Sequence, residues 1–167
     1  QGKLKEAMAY YVEARETRRH VLGDNHPDTL RSIGSMGGMI KHKGKLEGAM
    51  PYFATALQRH RHMFSNEHPS TLCSINTMGV LLEDQGKLEE AMPYYVEALE
   101  TRRRVLGDEH PDTLRSIGSM GGMLKHKGKL EEAMPYFAEA LEGHRRVLGN
   151  EHPSTLYSIN TIGVLLE

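Results

Sequence analysis

One cysteine, Cys73, stands in 167 residues, so the chain has no internal disulfide framework. That scarcity fits a reducing compartment and leads to the expectation of a cytoplasmic protein. Charge of one sign is lacking as well. Lys and Arg number 21 against 22 Asp and Glu, a formal net charge of −1, which gives no overall pull toward nucleic acid. Long hydrophobic runs are absent: mean hydropathy is −0.53, and no apolar stretch approaches the ~20 residues of a membrane span, so no membrane insertion is expected. The opening residues, Gln1 to Glu6, are polar and already belong to a repeat, which argues against a secretory signal.

Repetition takes the place of these features. Gly-Lys-Leu occurs at 2–4, 44–46, 86–88 and 128–130, and residues 1–83 differ from 85–167 at only 16 positions. A fixed period of this size marks an array of supersecondary units, each too small to bury its own apolar face. Within residues 111–149, His110-Pro111-Asp112-Thr113 reads as a helix start, with proline at the first helical position and an acid in the first turn. Leu114, Ile117, Met120 and Leu124 then follow a 3.6-residue stripe, and Gly128 ends this helix A. Helix B starts near Leu130, with Glu131 and Glu132 in its first turn. Its stripe runs through Leu130, Ala133, Met134, Phe137, Ala140 and Leu141 to Val147 and Leu148. Pro51, Pro93 and Pro135 fall about five residues into their B helices, where a slight bend is expected.

The spacing predicts B helices near 3–22, 45–64, 87–106 and 129–148, and A helices near 27–43, 69–85, 111–127 and 153–166. The expected organisation is a single array: a helix B half-repeat over 1–26, full repeats over 27–68, 69–110 and 111–152, and a helix A half-repeat over 153–167. Leu4, Met8 and Tyr11 in the first half-repeat, and Ile159, Leu165 and Leu166 in the last, then lack a covering helix. The expectation is a piece of a longer array, or end-to-end self-association through uncapped terminal helices.

These residues resemble the tetratricopeptide repeat. The small residue of helix A, the inter-helix glycine, and the alanine, aromatic and alanine of helix B match Gly121, Gly128, Ala133, Phe137 and Ala140. The same set recurs as Gly37, Gly44, Ala49, Phe53, Ala56 and as Gly79, Gly86, Ala91, Tyr95, Ala98. Isoleucine (Ile33, Ile75, Ile117, Ile159) stands where the family usually has an aromatic, and the closing proline is replaced by an Arg-rich extension. The 42-residue length, with Gly-Asp-Glu-His-Pro-Asp-Thr-Leu and Gly-Lys-Leu-Glu-Glu-Ala, is similar to the kinesin-light-chain and nephrocystin-3 type. The resemblance implies an all-α, right-handed superhelical solenoid of helix hairpins that binds a peptide or partner protein in a concave groove lined by the A helices.

On that implication the groove contacts are the residues on the non-core side of helix A. They are Arg31, Gly34, Gly38 and Lys41; Cys73, Asn76, Val80 and Glu83; Arg115, Gly118, Gly122 and Lys125; Tyr157, Asn160, Val164 and Glu167. Arg31 and Arg115 can fork onto carboxylates, Lys41 and Lys125 add point charges, and Asn76 and Asn160 suit a peptide backbone, with Val80 and Val164 beside them. The chemistry fits an extended acidic segment, against the alternative of a solvated helix surface. Glycine triplets (34, 37, 38 and 118, 121, 122) cost about 1 kcal/mol per residue in a helix. One of each triplet is expected for close packing, and the others for ligand approach, local flexibility or tolerated drift.

Neither an enzyme nor a cofactor or metal site is expected. His26, His68, His110 and His152 repeat one turn position, where the ring is expected to pack over the helix start; His60 and His62 point to different faces. The Arg-rich tails (Arg18-Arg19, Arg102-Arg103-Arg104, Arg145-Arg146) read as a solvated ridge, with nucleic acid a minor alternative. Two functions remain: an adaptor that captures an acidic peptide or partner protein in its groove, and an architectural module with no groove ligand.

Overall fold

A computed structural model describes residues 2–166, with side chains from residue 6 to residue 166. The side chain of Leu4 and the whole of Glu167, assigned above to an apolar stripe and to the groove, lie outside the described residues. Among the described residues there are eight helices and no strand. The chain divides into two units, residues 1–86 and 87–167.

The first unit holds α1 (Gly2–Leu22), α2 (Pro27–His42), α3 (Leu46–Met63) and α4 (Pro69–Asp84). The second holds α5 (Leu88–Leu106), α6 (Pro111–His126), α7 (Leu130–Leu148) and α8 (Pro153–Leu165). Odd-numbered helices are the B type and even-numbered the A type. Within each unit every helix packs on its neighbours in the chain. Helix bounds agree with the periodicity to within a few residues.

Each A helix starts in the same way. The Nδ1 atoms of His26, His68, His110 and His152 accept the backbone N–H two residues on, at 3.1–3.2 Å. The rings therefore cap the helices, a more specific role than packing over the first turn, and a capping ring carries its hydrogen on Nε2. At the other end, Gly44, Gly86 and Gly128 take φ of +71° to +74°, and the Gly128 N–H bonds the Lys125 carbonyl at 2.9 Å. A side chain at these three positions is strained, which accounts for the fixed place of Gly-Lys-Leu. In α3 the first N–H bonded to a carbonyl four residues back is that of Ala49, to Lys45 at 3.2 Å, so Pro51 lies two residues beyond it and removes a helical donor.

The core follows the predicted stripes. Leu114, Ile117, Met120 and Leu124 of α6 and Ala133, Phe137 and Ala140 of α7 are buried. In the first unit Leu30 and Ile33 of α2 cluster with Ala56 and the partly buried Tyr52 of α3. Leu130 and Val147, placed above in the buried stripe, are exposed, each 40%. A Cβ on Gly37 would stand 2.9 Å from the ring of Phe53, and one on Gly121 2.9 Å from that of Phe137. These are the packing glycines. Gly34, Gly38, Gly118 and Gly122 have nothing within 4 Å of an added Cβ.

Candidate functional site

Positions 31, 34, 38 and 41 advance along α2 in steps of three and four, so they share one face, and Cys73, Asn76 and Val80 do the same on α4. In the first unit these two faces bound a cavity of 1040 Å³. Phe53, Ala56 and His60 of α3 also line it. Arg31, Lys41, Asn76 and Val80 all border the cavity, and Gly34 and Gly38 open the α2 wall because no side chain projects from them.

The charges at its rim already have partners. Arg31, whose side chain is 75% exposed, pairs with Asp28 one turn back at 3.1 Å. Lys41 Nζ meets Asp84 of α4 at 2.6 Å. Exposed pairs of this kind are weak in water and exchange readily for another carboxylate. The Asn76 carboxamide makes no hydrogen bond among the described residues, which leaves both a donor and an acceptor for a ligand. His60 Nδ1 lies 2.7 Å from Ser74 Oγ. Burial, and secondarily the nearby His68, lowers the pKa of this ring below the usual histidine range, so it is neutral at pH 7.

In the second unit Arg115 pairs with Asp112 at 2.9 Å and is 62% exposed. Lys125 is exposed on α6, and Asn160 and Val164 are exposed on α8. Tyr157 replaces Cys73 and is 74% exposed. Another depression, of 630 Å³, lies among α5, α6 and α7 beside Met92, Val96 and Tyr136, and involves none of the predicted site residues.

A recurrent contact escaped the sequence reading. Arg18 donates to Ser32 at 2.5 Å, His60 meets Ser74, Arg102 donates to Ser116, and His144 Nδ1 lies 3.0 Å from Ser158. Each joins a B helix to the following A helix with a separation of 14 residues, and arginine alternates with histidine. The His144 pKa is lowered by burial and then by His152, parallel to His60. Serine at the same place in all four repeats was the available signal. These bonds also correct the reading of the Arg-rich tails. Arg102 is 3% exposed, and Arg103 binds Glu139 at 2.6 Å and Asp108 at 3.2 Å. These two arginines tie helices together and form no free ridge.

No group of three or more His, Cys, Asp or Glu side chains placed to hold a metal occurs among the described residues. No described helix is long and apolar enough to cross a membrane.

The tetratricopeptide-repeat profile matches residues 1–28, 29–70, 71–112 and 113–154. The chain belongs to the tetratricopeptide repeat family. Tetratricopeptide repeats form a non-catalytic family of protein-interaction scaffolds. No curated protein sequence matches the chain. Among solved structures, the tetratricopeptide array is similar to a Podosopora anserina protein described as a kinesin light chain with nearly identical TPR-like repeats. That match has 21% identity and a TM-score of 0.79, over 98% of this chain and 78% of the other. BtubC (BKLC) from P. vanneervenii is also 21% identical, with a TM-score of 0.82, over 97% of this chain and 65% of the other. The Rap conjugation gene regulator of the plasmid pLS20, solved in complex with the Phr* peptide, is 18% identical with a TM-score of 0.75, over 98% of this chain and 42% of its own.

Proposed function

We propose that the array binds an extended acidic peptide segment along its A helices. The observation that carries this reading is the cavity of the first unit that Arg31, Lys41, Asn76 and Val80 border together. Arg31 and Lys41 exchange Asp28 and Asp84 for ligand carboxylates, Asn76 bonds the peptide backbone, and Val80 takes an apolar side chain. Arg115, Lys125, Asn160 and Val164 repeat the same chemistry in the second unit, which allows two segments of one partner to engage together. The Rap regulator of similar fold is a complex with a peptide, which supports a peptide as the ligand class.

The test uses two fluorescent extended peptides, one alternating Glu with Leu and one alternating Lys with Leu, followed by anisotropy. The acidic peptide is expected to bind and the basic one not. Arg31→Glu with Arg115→Glu is expected to weaken the acidic peptide by at least about tenfold, the loss of one charge-assisted hydrogen bond, with an unchanged helical circular dichroism spectrum. Equal binding of both peptides, or indifference to the substitutions, contradicts the reading.

A second reading, an assembly module that docks through helix faces, is favoured by one observation. Tyr10 and Val21 share one face of α1, Leu156 and Ile159 share one face of α8, and all four are exposed apolar side chains. Rows of this kind mark contact surfaces.

A further inference from the structure

We infer that His60 is a ligand-binding residue of the first-unit cavity, and that its protonation tightens the hold on an anionic segment as the medium turns acid. The inference rests on the peptide reading and adds a control to that site.

The charges around the cavity carry it. Arg31, Lys41, His42 and His60 all border it, and none of its described lining residues is Asp or Glu. Asp28 and Asp84, outside the lining, already answer Arg31 and Lys41. Neither histidine has a carboxylate partner among the described residues. A proton gained by either ring therefore adds positive charge that the cavity itself does not neutralise. His42 is exposed at the end of α2, whereas His60 is half-buried, so water screens a charge on His60 less.

The joint between α3 and α4 decides which nitrogen takes that proton. In the repeats with arginine at this position, Arg18 and Arg102 donate to the serine, and a guanidinium cannot accept. Ser158 donates its own hydrogen to the Ser154 carbonyl at 3.1 Å, so it accepts from His144 Nδ1. His60 holds the same place against Ser74 and donates from Nδ1 in the same way. Nε2 is then the nitrogen that titrates, and its protonation leaves the bond to Ser74 intact. Arg18 and Arg102 show that the position accommodates a full positive charge while making this bond. The chain thus alternates a permanent cation with a titratable one.

The remaining groups about His60 do not oppose this. From α4, His68 lies beyond the Phe64 ring, whose centroid is 4.1 Å from that of His68 and 6.0 Å from that of His60. From α2 come Arg31, Lys41 and His42. On α3 itself Arg59 is bound to Asp24, and Arg61 follows His60 in sequence. Burial, then His68, keeps the ring neutral at pH 7. A ligand carboxylate reverses that bias, so binding takes up a proton and, by linkage, acidification favours binding.

Anisotropy of the Glu–Leu peptide tests this in a chain carrying Arg115→Glu, which leaves the first unit to be read. The titrations run from about pH 8 to about pH 5.5, where glutamate stays ionised. Affinity is expected to rise about tenfold on acidification, within the usual range of such couplings. His60→Gln, whose amide still donates to Ser74, is expected to lose most of that rise, His42→Gln a smaller part, and His62→Gln, outside the cavity, none. His60→Arg is expected to bind at the alkaline end nearly as tightly as its parent does at the acid end. Calorimetry in two buffers of different ionisation heat is expected to show proton uptake on binding. A peptide that binds at no pH overturns the peptide reading and this inference with it. Binding that is unchanged or weaker in acid, a rise that survives His60→Gln, or binding without proton uptake overturns this inference alone.

Discussion

Arg102→Ala is expected to lower stability by about 3 kcal/mol, and Arg102→His by less than about 1 kcal/mol, in urea unfolding followed by circular dichroism. Arg102 is among the most buried polar residues of the second unit, and its guanidinium donates to Ser116, itself buried. Truncation leaves a void between α5 and α6 and takes from the serine oxygen its charged donor. Histidine is the informative control, because His60 and His144 hold the equivalent place and reach the equivalent serines at 2.7 and 3.0 Å. A histidine as damaging as alanine would show that the position needs the guanidinium charge. Equal tolerance of alanine would remove the bond from the account of the fold.

Gly121→Leu is expected to cost about 3 kcal/mol, since even a Cβ stands 2.9 Å from the buried Phe137 ring and a well-packed interior absorbs added volume poorly. Gly118→Ala and Gly122→Ala, three and one residues from it on open sides of the same helix, are expected to add up to about 1 kcal/mol each through helix propensity. Combining Gly121→Leu with Phe137→Ala should recover part of the loss, because the leucine then occupies the space of the ring. A thermal-melt series over these four variants checks the set. Stabilisation by Gly121→Leu would mean that the helices do not approach each other as described.

The repeat period and the apolar stripes carried most of the fold. The positive φ of Gly44, Gly86 and Gly128 and the burial of Ile117 and Phe137 follow from local chemistry and periodicity, both of which one sequence displays. Contacts made by polar side chains across helices were less legible. Arg102 and Arg104 look alike in sequence, yet one is buried and the other exposed, because helix rotation decides which arginine meets the next A helix. The histidine caps were visible as a repeated position but not as a bond, since histidine is not among the residues that usually cap helices. At the candidate site, helical spacing placed Arg31 and Lys41 on one face. It did not reveal that Asp28 and Asp84 already neutralise them, and the Asp84 pairing in particular depends on where α4 lies against α2.

Cys73 offers the most direct measurement. It is the only cysteine, it is exposed, and it borders the same cavity as Arg31, Lys41, Asn76 and Val80. Its rate of alkylation by iodoacetamide should fall in proportion to occupancy as the acidic peptide is added, and the protection should vanish with Arg31→Glu and Arg115→Glu. A peptide that binds while Cys73 reacts at its unliganded rate would contradict the assignment of the groove.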